Sequence, residues 1–282
     1  LIASAYDDVT RPTGFLGGYN ATLTAYGEAV REMAREYNLT VADTNTPLVG
    51  ALARAHALDA DLSTKVIPDR VHPQAGGHMV MASAVLKAWN APDTVADIEI
   101  NAADGSVVKS LGSKVSGLSA TPQSITFTHT DSCLPWPLDR DPDRNKDTIL
   151  MLNTTDIEQA LNRYVLKIDN LPAAKYMLKV DGENIATLSR EQLQSGIDLA
   201  AVPALAPNKQ ANTLLTLIRR HGNFHNQKWR EVQVPNSSNG KSITTDIQAR
   251  MDNLDKQEAE VLKTIPAANK PKPHTVVLTP AM

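Results

Sequence analysis

The residues best suited to do chemistry are Asp69 and His72, in the run Asp69-Arg70-Val71-His72-Pro73. A carboxylate three residues before an imidazole can accept the Nδ1 proton of that ring. This fixes the tautomer and leaves Nε2 as a base, and an oriented, basic imidazole is what a serine nucleophile requires. Pro73 adds stiffness, because the residue before a proline is pushed toward an extended conformation and proline is favoured at the first helical position. His72 is therefore expected in a fixed loop at the head of a helix over 73–89. Gly76 and Gly77 would allow close backbone packing in its first turn, at about 1 kcal/mol each relative to Ala. The same spacing also suits a histidine at a helix start beside a loop aspartate, with no catalytic role.

Other candidates carry weaker patterns. His221 and His225 stand four apart on an expected helix, a spacing that can chelate a metal, but no carboxylate motif accompanies them and a solvated helix face accounts for them. His78 reads as a residue that packs or caps locally. Trp136, between Pro135 and Pro137, suits sugar stacking less well than docking on a domain surface. Cys133 reads as a small buried side chain, since no basic neighbour is evident to depress its thiol. The sequons at Asn20, Asn38, Asn153 and Asn236 are read as chance. No cofactor and no metal is expected.

The elements that would position the Asp-His pair follow from periodicity. Tyr19, Leu23, Tyr26, Val30, Met33 and Tyr37 recur at helical spacing after a Gly14–Gly18 loop, so a helix over 19–37 is expected to bury that stripe. Leu39-Thr40-Val41-Ala42 reads as a short strand ending at Asp43, and Thr46-Pro47 opens a second helix, an order that points to a parallel sheet. Leu1 to Tyr6 reads as the end of a buried strand, so the chain is expected to begin inside a domain. Beyond residue 95, Ile98 and Ile100 with Asp104-Gly105 and Val107-Val108 predict a hairpin, and Ser124–Thr128 a strand. Leu134–Asp147 reads as an exposed connection. Val165–Ile168 and Tyr176–Val180 predict two strands, the second turning at Asp181-Gly182 and returning through Ile185 to Leu188 as a small antiparallel unit. Ser189 and Gln192, flanked by Leu188 and Leu193, combine a capping box with a hydrophobic staple. Helices are expected over 208–226 and 242–263, followed by a loosely held terminus containing Lys270-Pro271-Lys272-Pro273.

Composition narrows the partners. Twenty-eight Lys+Arg against 31 Asp+Glu give a net charge of −3, without the cationic excess that phosphate-backbone binding needs, so nucleic acid is not an expected partner. No stretch approaches the roughly 18 apolar residues of a membrane span. The single cysteine permits no intrachain disulfide and no cysteine-clustered metal site.

Taken together, Tyr6-Asp7-Asp8 after an apolar strand, Asn20 opening a helix with Leu23 and Tyr26, Val41-Ala42-Asp43, and Asp69-Arg70-Val71-His72-Pro73 with Gly77-His78 and Met81-Ala82 resemble the end of the SGNH (GDSL-type) hydrolase domain. The likeness covers about 92 residues. Asp131-Ser132-Cys133-Leu134-Pro135 through Tyr176, Asp181-Gly182 and Gly196–Ala200 look like the C-terminal extension of some bacterial members. The resemblance implies the later half of a three-layer, flavodoxin-like α/β domain at 1–92, followed by a hairpin and linker at 93–148, a small mixed β/α region at 149–235, and a helical and flexible tail at 236–282. It implies that His72 is the general base and Asp69 its orienting acid in acyl-ester hydrolysis through an acyl-serine intermediate. The substrate would be a small-molecule or carbohydrate ester, and the compartment periplasmic or extracellular. The family's Gly-Asp-Ser and Gly-x-Asn-Asp blocks have no counterpart in this sequence. The nucleophile and oxyanion residues are therefore expected upstream of Leu1, and the 282 residues alone are expected to be inactive. Two rivals stand beside this reading: a non-catalytic binding or structural module on the same fold, and a metal-dependent phosphoesterase using Asp69, His72 and His78.

Overall fold

A computed structural model describes residues 1–12, 14, 18–237 and 244–281. Most of the Gly14–Gly18 loop, the expected helix start at Ser242 and the end of the Asn236 sequon lie outside the described residues. The chain is mixed α/β and divides into two units, Leu1–Thr94 with Leu138–Arg163, and Val95–Pro137 with Tyr164–Met282.

The first unit is built from α1 (Gly18–Tyr37), α2 (Thr46–Leu58), the single turn α3 (Ala60–Ser63), α4 (Ala75–Ala88), α5 (Lys146–Leu152) and α6 (Ile157–Leu161). Its two extended segments run parallel, as expected, but meet in one bridge, Ile2 with Asp43, fixed by Ile2 N donating to Ala42 O at 2.9 Å and Thr44 Oγ1 to Ile2 O at 2.7 Å. The core gathers Ile2, Leu48, Leu52, Val66, Ile67 and Met151.

Two expectations are corrected here. Helix α1 forms, but it buries Gly18, Gly27 and Ala34, while Tyr19, Tyr26, Met33 and Tyr37 are exposed. A Cβ at Gly27 would lie 3.1 Å from Ile2 Cγ2, so it is the small residues that let this helix approach the bridge. Helix α4 begins at Ala75 with Gln74 as its N-cap, so Pro73 precedes the helix rather than occupying its first turn, and Trp89 lies outside it and exposed. The connection read at 134–147 holds no helix or strand before Lys146, and after it come α5 and α6, short helices too brief for periodicity to reveal.

Gly76 and Gly77 do permit close packing. A Cβ at Gly76 would sit 2.7 Å from Asp147 O and 2.9 Å from Met151 Cγ, and Gly76 N donates to Asp147 Oδ2 at 2.8 Å. Gly76→Ala should therefore destabilise by about 1–3 kcal/mol despite alanine's higher helix propensity, because the backbone carbonyl has nowhere to go. A melting curve checks the sign, and a stabilised variant would contradict this packing.

The second unit places two sheets around one core. Strands β1 (Thr94–Asn101), β2 (Ser106–Leu111), β5 (Arg163–Asp169) and β8 (Ile197–Asp198) give the order β2-β1-β5-β8. Strands β3 (Ser113–Ala120), β4 (Ile125–Asp131), β6 (Lys175–Val180), β7 (Glu183–Ser189) and β9 (Pro273–Pro280) give β3-β4-β9-β6-β7, antiparallel throughout. Ile98, Ile100, Phe127, Leu166, Leu178 and Leu278 meet in that core. The hairpin over 98–108 and the capping box at Ser189 form as read, with Leu193 buried beneath the single-turn helix α7 (Arg190–Ser195).

The return of 176–180 through the Asp181-Gly182 turn to 185–188 forms as read, β6 pairing antiparallel with β7, while β5 belongs to the other sheet. The terminus expected to be loose is instead β9, a central strand with Val276 and Leu278 buried. Between β8 and β9 lie α8 (Ala206–Asn226), a π-helical stretch (Gln227–Gln233), the turn α9 (Val234–Ser237) and α10 (Thr245–Asn269). Phe224, Val232, Leu254 and Val261 form their own small core.

Candidate active site

The site is a turn between Val66 and Gln74, closed by Arg70 N donating to Ile67 O at 3.0 Å and Gln74 N to Val66 O at 2.8 Å. Asp69 stands inside it and accepts three donors. Its Oδ1 takes Val71 N at 3.0 Å and His72 N at 2.7 Å, and its Oδ2 lies 2.6 Å from His72 Nδ1. The carboxylate thus folds the turn and holds the ring at once. Asp69 and His72, predicted from spacing, are brought together.

The pair faces outward, with side chains 56% and 79% exposed. Nδ1 is engaged by the carboxylate, and no hydrogen bond reaches Nε2 from the described residues. The backbone N–H of His72, then its ring and the backbone N–H of Val71, hold the Asp69 carboxyl well below the usual carboxylate range. Because the folded-state value is depressed, the stabilisation is fully present above the ordinary aspartate range near 3.9. It is lost only as pH falls through the lower folded value. A carbon-detected titration should find Asp69 still ionised where an ordinary aspartate is half protonated, and a midpoint at or above about 3.9 would contradict these bonds.

Two arginines that the sequence did not single out tie this turn to the segment after the first extended strand. Arg11 donates to Ile67 O and, at 2.7 Å, to Pro68 O, while pairing with buried Asp7 at 3.1 Å. Arg70 accepts at its carbonyl from Asp7 N at 2.9 Å and returns its Nε to Asp7 O at 3.1 Å. Its guanidinium lies 5.3 Å from the Tyr6 ring centroid, and Tyr6 packs on Tyr19 at 4.9 Å. No periodic signal marks the bonds of Arg11 to Ile67 and Pro68 or of Arg70 to Asp7, whose partners lie more than fifty residues apart.

The other candidates fall elsewhere. His78 lies on α4, its backbone N donating to Gln74 O. His221 Nε2 pairs with Glu258 Oε1 at 3.1 Å, and His225 is exposed. Among the described residues no group of three or more His, Cys, Asp or Glu side chains comes together as a metal could require. Cys133 is exposed rather than buried, and desolvation of its sulfur together with the nearby Asp131 charge raises its thiol. Among the described residues no helix is long and apolar enough to cross a membrane.

Comparison with known proteins adds one finding. No family model and no curated protein matches the chain. Among solved structures it is similar to a gut microbial diltiazem-metabolizing enzyme, at 26% identity and a TM-score of 0.79, over 99% of this chain and 71% of that one.

Proposed function

We propose that this chain is the later part of an SGNH-type serine esterase acting on small-molecule or carbohydrate acyl esters. The observation that carries the proposal is the Asp69–His72 pair, with Nδ1 bound to the carboxylate and Nε2 turned to solvent. The likeness to an enzyme that metabolizes diltiazem supports an enzyme with a small-molecule substrate.

In this mechanism His72 Nε2 takes the proton of a serine hydroxyl as its oxygen attacks the ester carbonyl. The imidazolium then protonates the departing alkoxide, leaving an acyl-serine. Water attacks that acyl group, again giving its proton to Nε2, and the carboxylic acid leaves as the serine recovers its hydrogen. Asp69 stays ionised, holds the ring and stabilises the imidazolium. The serine and the oxyanion donors would come from polypeptide preceding Leu1, so the 282 residues alone should hydrolyse p-nitrophenyl acetate only at the background rate.

The test is phosphonylation. In the protein extended upstream of Leu1, a fluorophosphonate should modify a single serine and abolish ester turnover, while chelators leave turnover unchanged. Turnover that survives phosphonylation, or is lost to chelators, would overturn the proposal.

A further inference from the structure

Arg70 lies between the two site residues with φ +74°, a conformation that side chains other than glycine rarely adopt. Such a residue persists only where its surroundings over-determine it. Here they do: its carbonyl and Nε form a reciprocal pair with the backbone of Asp7, the guanidinium lies against Tyr6, and Asp8 Oδ1 is 3.7 Å from Nη2. The reversal of the chain at this residue is what turns Val71 N and His72 N back onto Asp69 Oδ1, and with them the ring onto Oδ2.

We infer that Arg70 is a positioning residue, pinning the turn to Asp7 so that the Asp69 carboxylate meets the His72 ring in one orientation. The inference rests on the esterase reading for its role in turnover. A planar, forked guanidinium suits this task in a way that a lysine ammonium does not, since it donates through Nε while lying against an aromatic face. Glycine supplies the opposite contrast, because it adopts the positive φ freely but carries no clamp.

The experiment compares Arg70→Gly and Arg70→Lys with the unaltered protein in two measurements. The first follows the 15N-labelled imidazole of His72 and the hydrogen exchange of the Val71 and His72 amides. The unaltered ring should occupy the Nδ1–H tautomer. Arg70→Gly should mix the two tautomers and speed exchange at both amides by about tenfold or more, leaving α2 and α4 as protected as before, with Arg70→Lys intermediate. The second measurement is ester turnover in the protein extended upstream of Leu1. There kcat should fall by roughly 10-fold to 10²-fold in Arg70→Gly, with KM little changed, as expected when a catalytic group is misplaced by about 1 Å.

Unchanged tautomer and amide protection in Arg70→Gly would overturn the inference. Should that variant lose protection across α4 as well, Arg70→Lys decides alone, a mixed tautomer supporting the inference and an unchanged one ending it. The two claims fail separately. Normal turnover in a His72→Ala variant removes the esterase reading, while the ring and amide measurements still judge Arg70.

Discussion

Replacing His72 with Ala in the protein extended upstream of Leu1 should lower ester turnover by about 10⁴-fold to 10⁶-fold, the loss expected when the base of a serine hydrolase is removed. Asp69→Asn should cost less, about 10²-fold to 10⁴-fold, because the imidazole remains but its tautomer and orientation are no longer enforced. The His72→Ala effect should not trace to folding of the turn's surroundings. His72 is mostly exposed, and a surface substitution of that kind changes stability by within about 0.5 kcal/mol. Steady-state kinetics beside a melting curve separates the two causes. Turnover within tenfold of the unaltered protein in His72→Ala would remove this imidazole from the chemistry.

The largest expected stability effect lies in the second unit, at Asp131. Its Oδ1 accepts from Ser113 Oγ at 2.7 Å and faces His129 Nδ1 at 2.9 Å, while Oδ2 accepts from Tyr164 OH at 2.6 Å. Asp131, His129 and Tyr164 are all buried. Burial pushes the Asp131 carboxyl up, but the His129 ring and charge and the two hydroxyls outweigh it, so the group is held below its ordinary range. Tyr164 is held well above its own by burial first and then the Asp131 charge, and so remains a donor.

Asp131→Ala would leave the buried Tyr164 hydroxyl and His129 ring, and the half-buried Ser113 hydroxyl, facing no acceptor. The expected cost is about 3–5 kcal/mol, as for breaking a buried pair from one side. At roughly 2–4 °C per kcal/mol for a unit of this size, the midpoint should fall by on the order of 10 °C. Tyr164→Phe should cost less, about 1–2 kcal/mol, since it removes a single donor. The Asp131 contribution is present above the ordinary aspartate range and is lost as pH falls through the depressed value, so the gap between Asp131→Ala and the unaltered protein should close on acidification. A loss under about 1 kcal/mol at neutral pH would contradict the network's role.

Much of this was legible locally. The Asp69–His72 pair could be read because both residues lie in one turn and the carboxylate reaches the ring and two backbone N–H groups without help from afar. The Ser189 capping box was legible for the same reason. Periodicity in α1 showed that a helix forms and which residues share a face. It could not show which face meets the rest of the unit; Gly27 and Ala34 turn inward, and at Gly27 Ile2 approaches too closely for a larger side chain.

Long-range pairing was beyond the sequence. Strand β9 alternates His274, Val276 and Leu278 on its buried face, but lysines and prolines precede it, and its partners β4 and β6 lie far back in the chain. Strands β5 and β6 are neighbours in sequence and part company into separate sheets. In the sequence Arg70 is marked only by its place between Asp69 and His72. Its positive φ and its exchange of bonds with Asp7 arise from a contact across 63 positions.

The most direct measurement of the central claim is a crystal structure of the phosphonylated protein, extended upstream of Leu1, in which the modified serine marks the reacting atom. His72 Nε2 should lie within about 2.6–3.2 Å of that serine's oxygen, with Nδ1 still on Asp69. A different imidazole beside the labelled oxygen, or His72 pointing away from it, would contradict the claim.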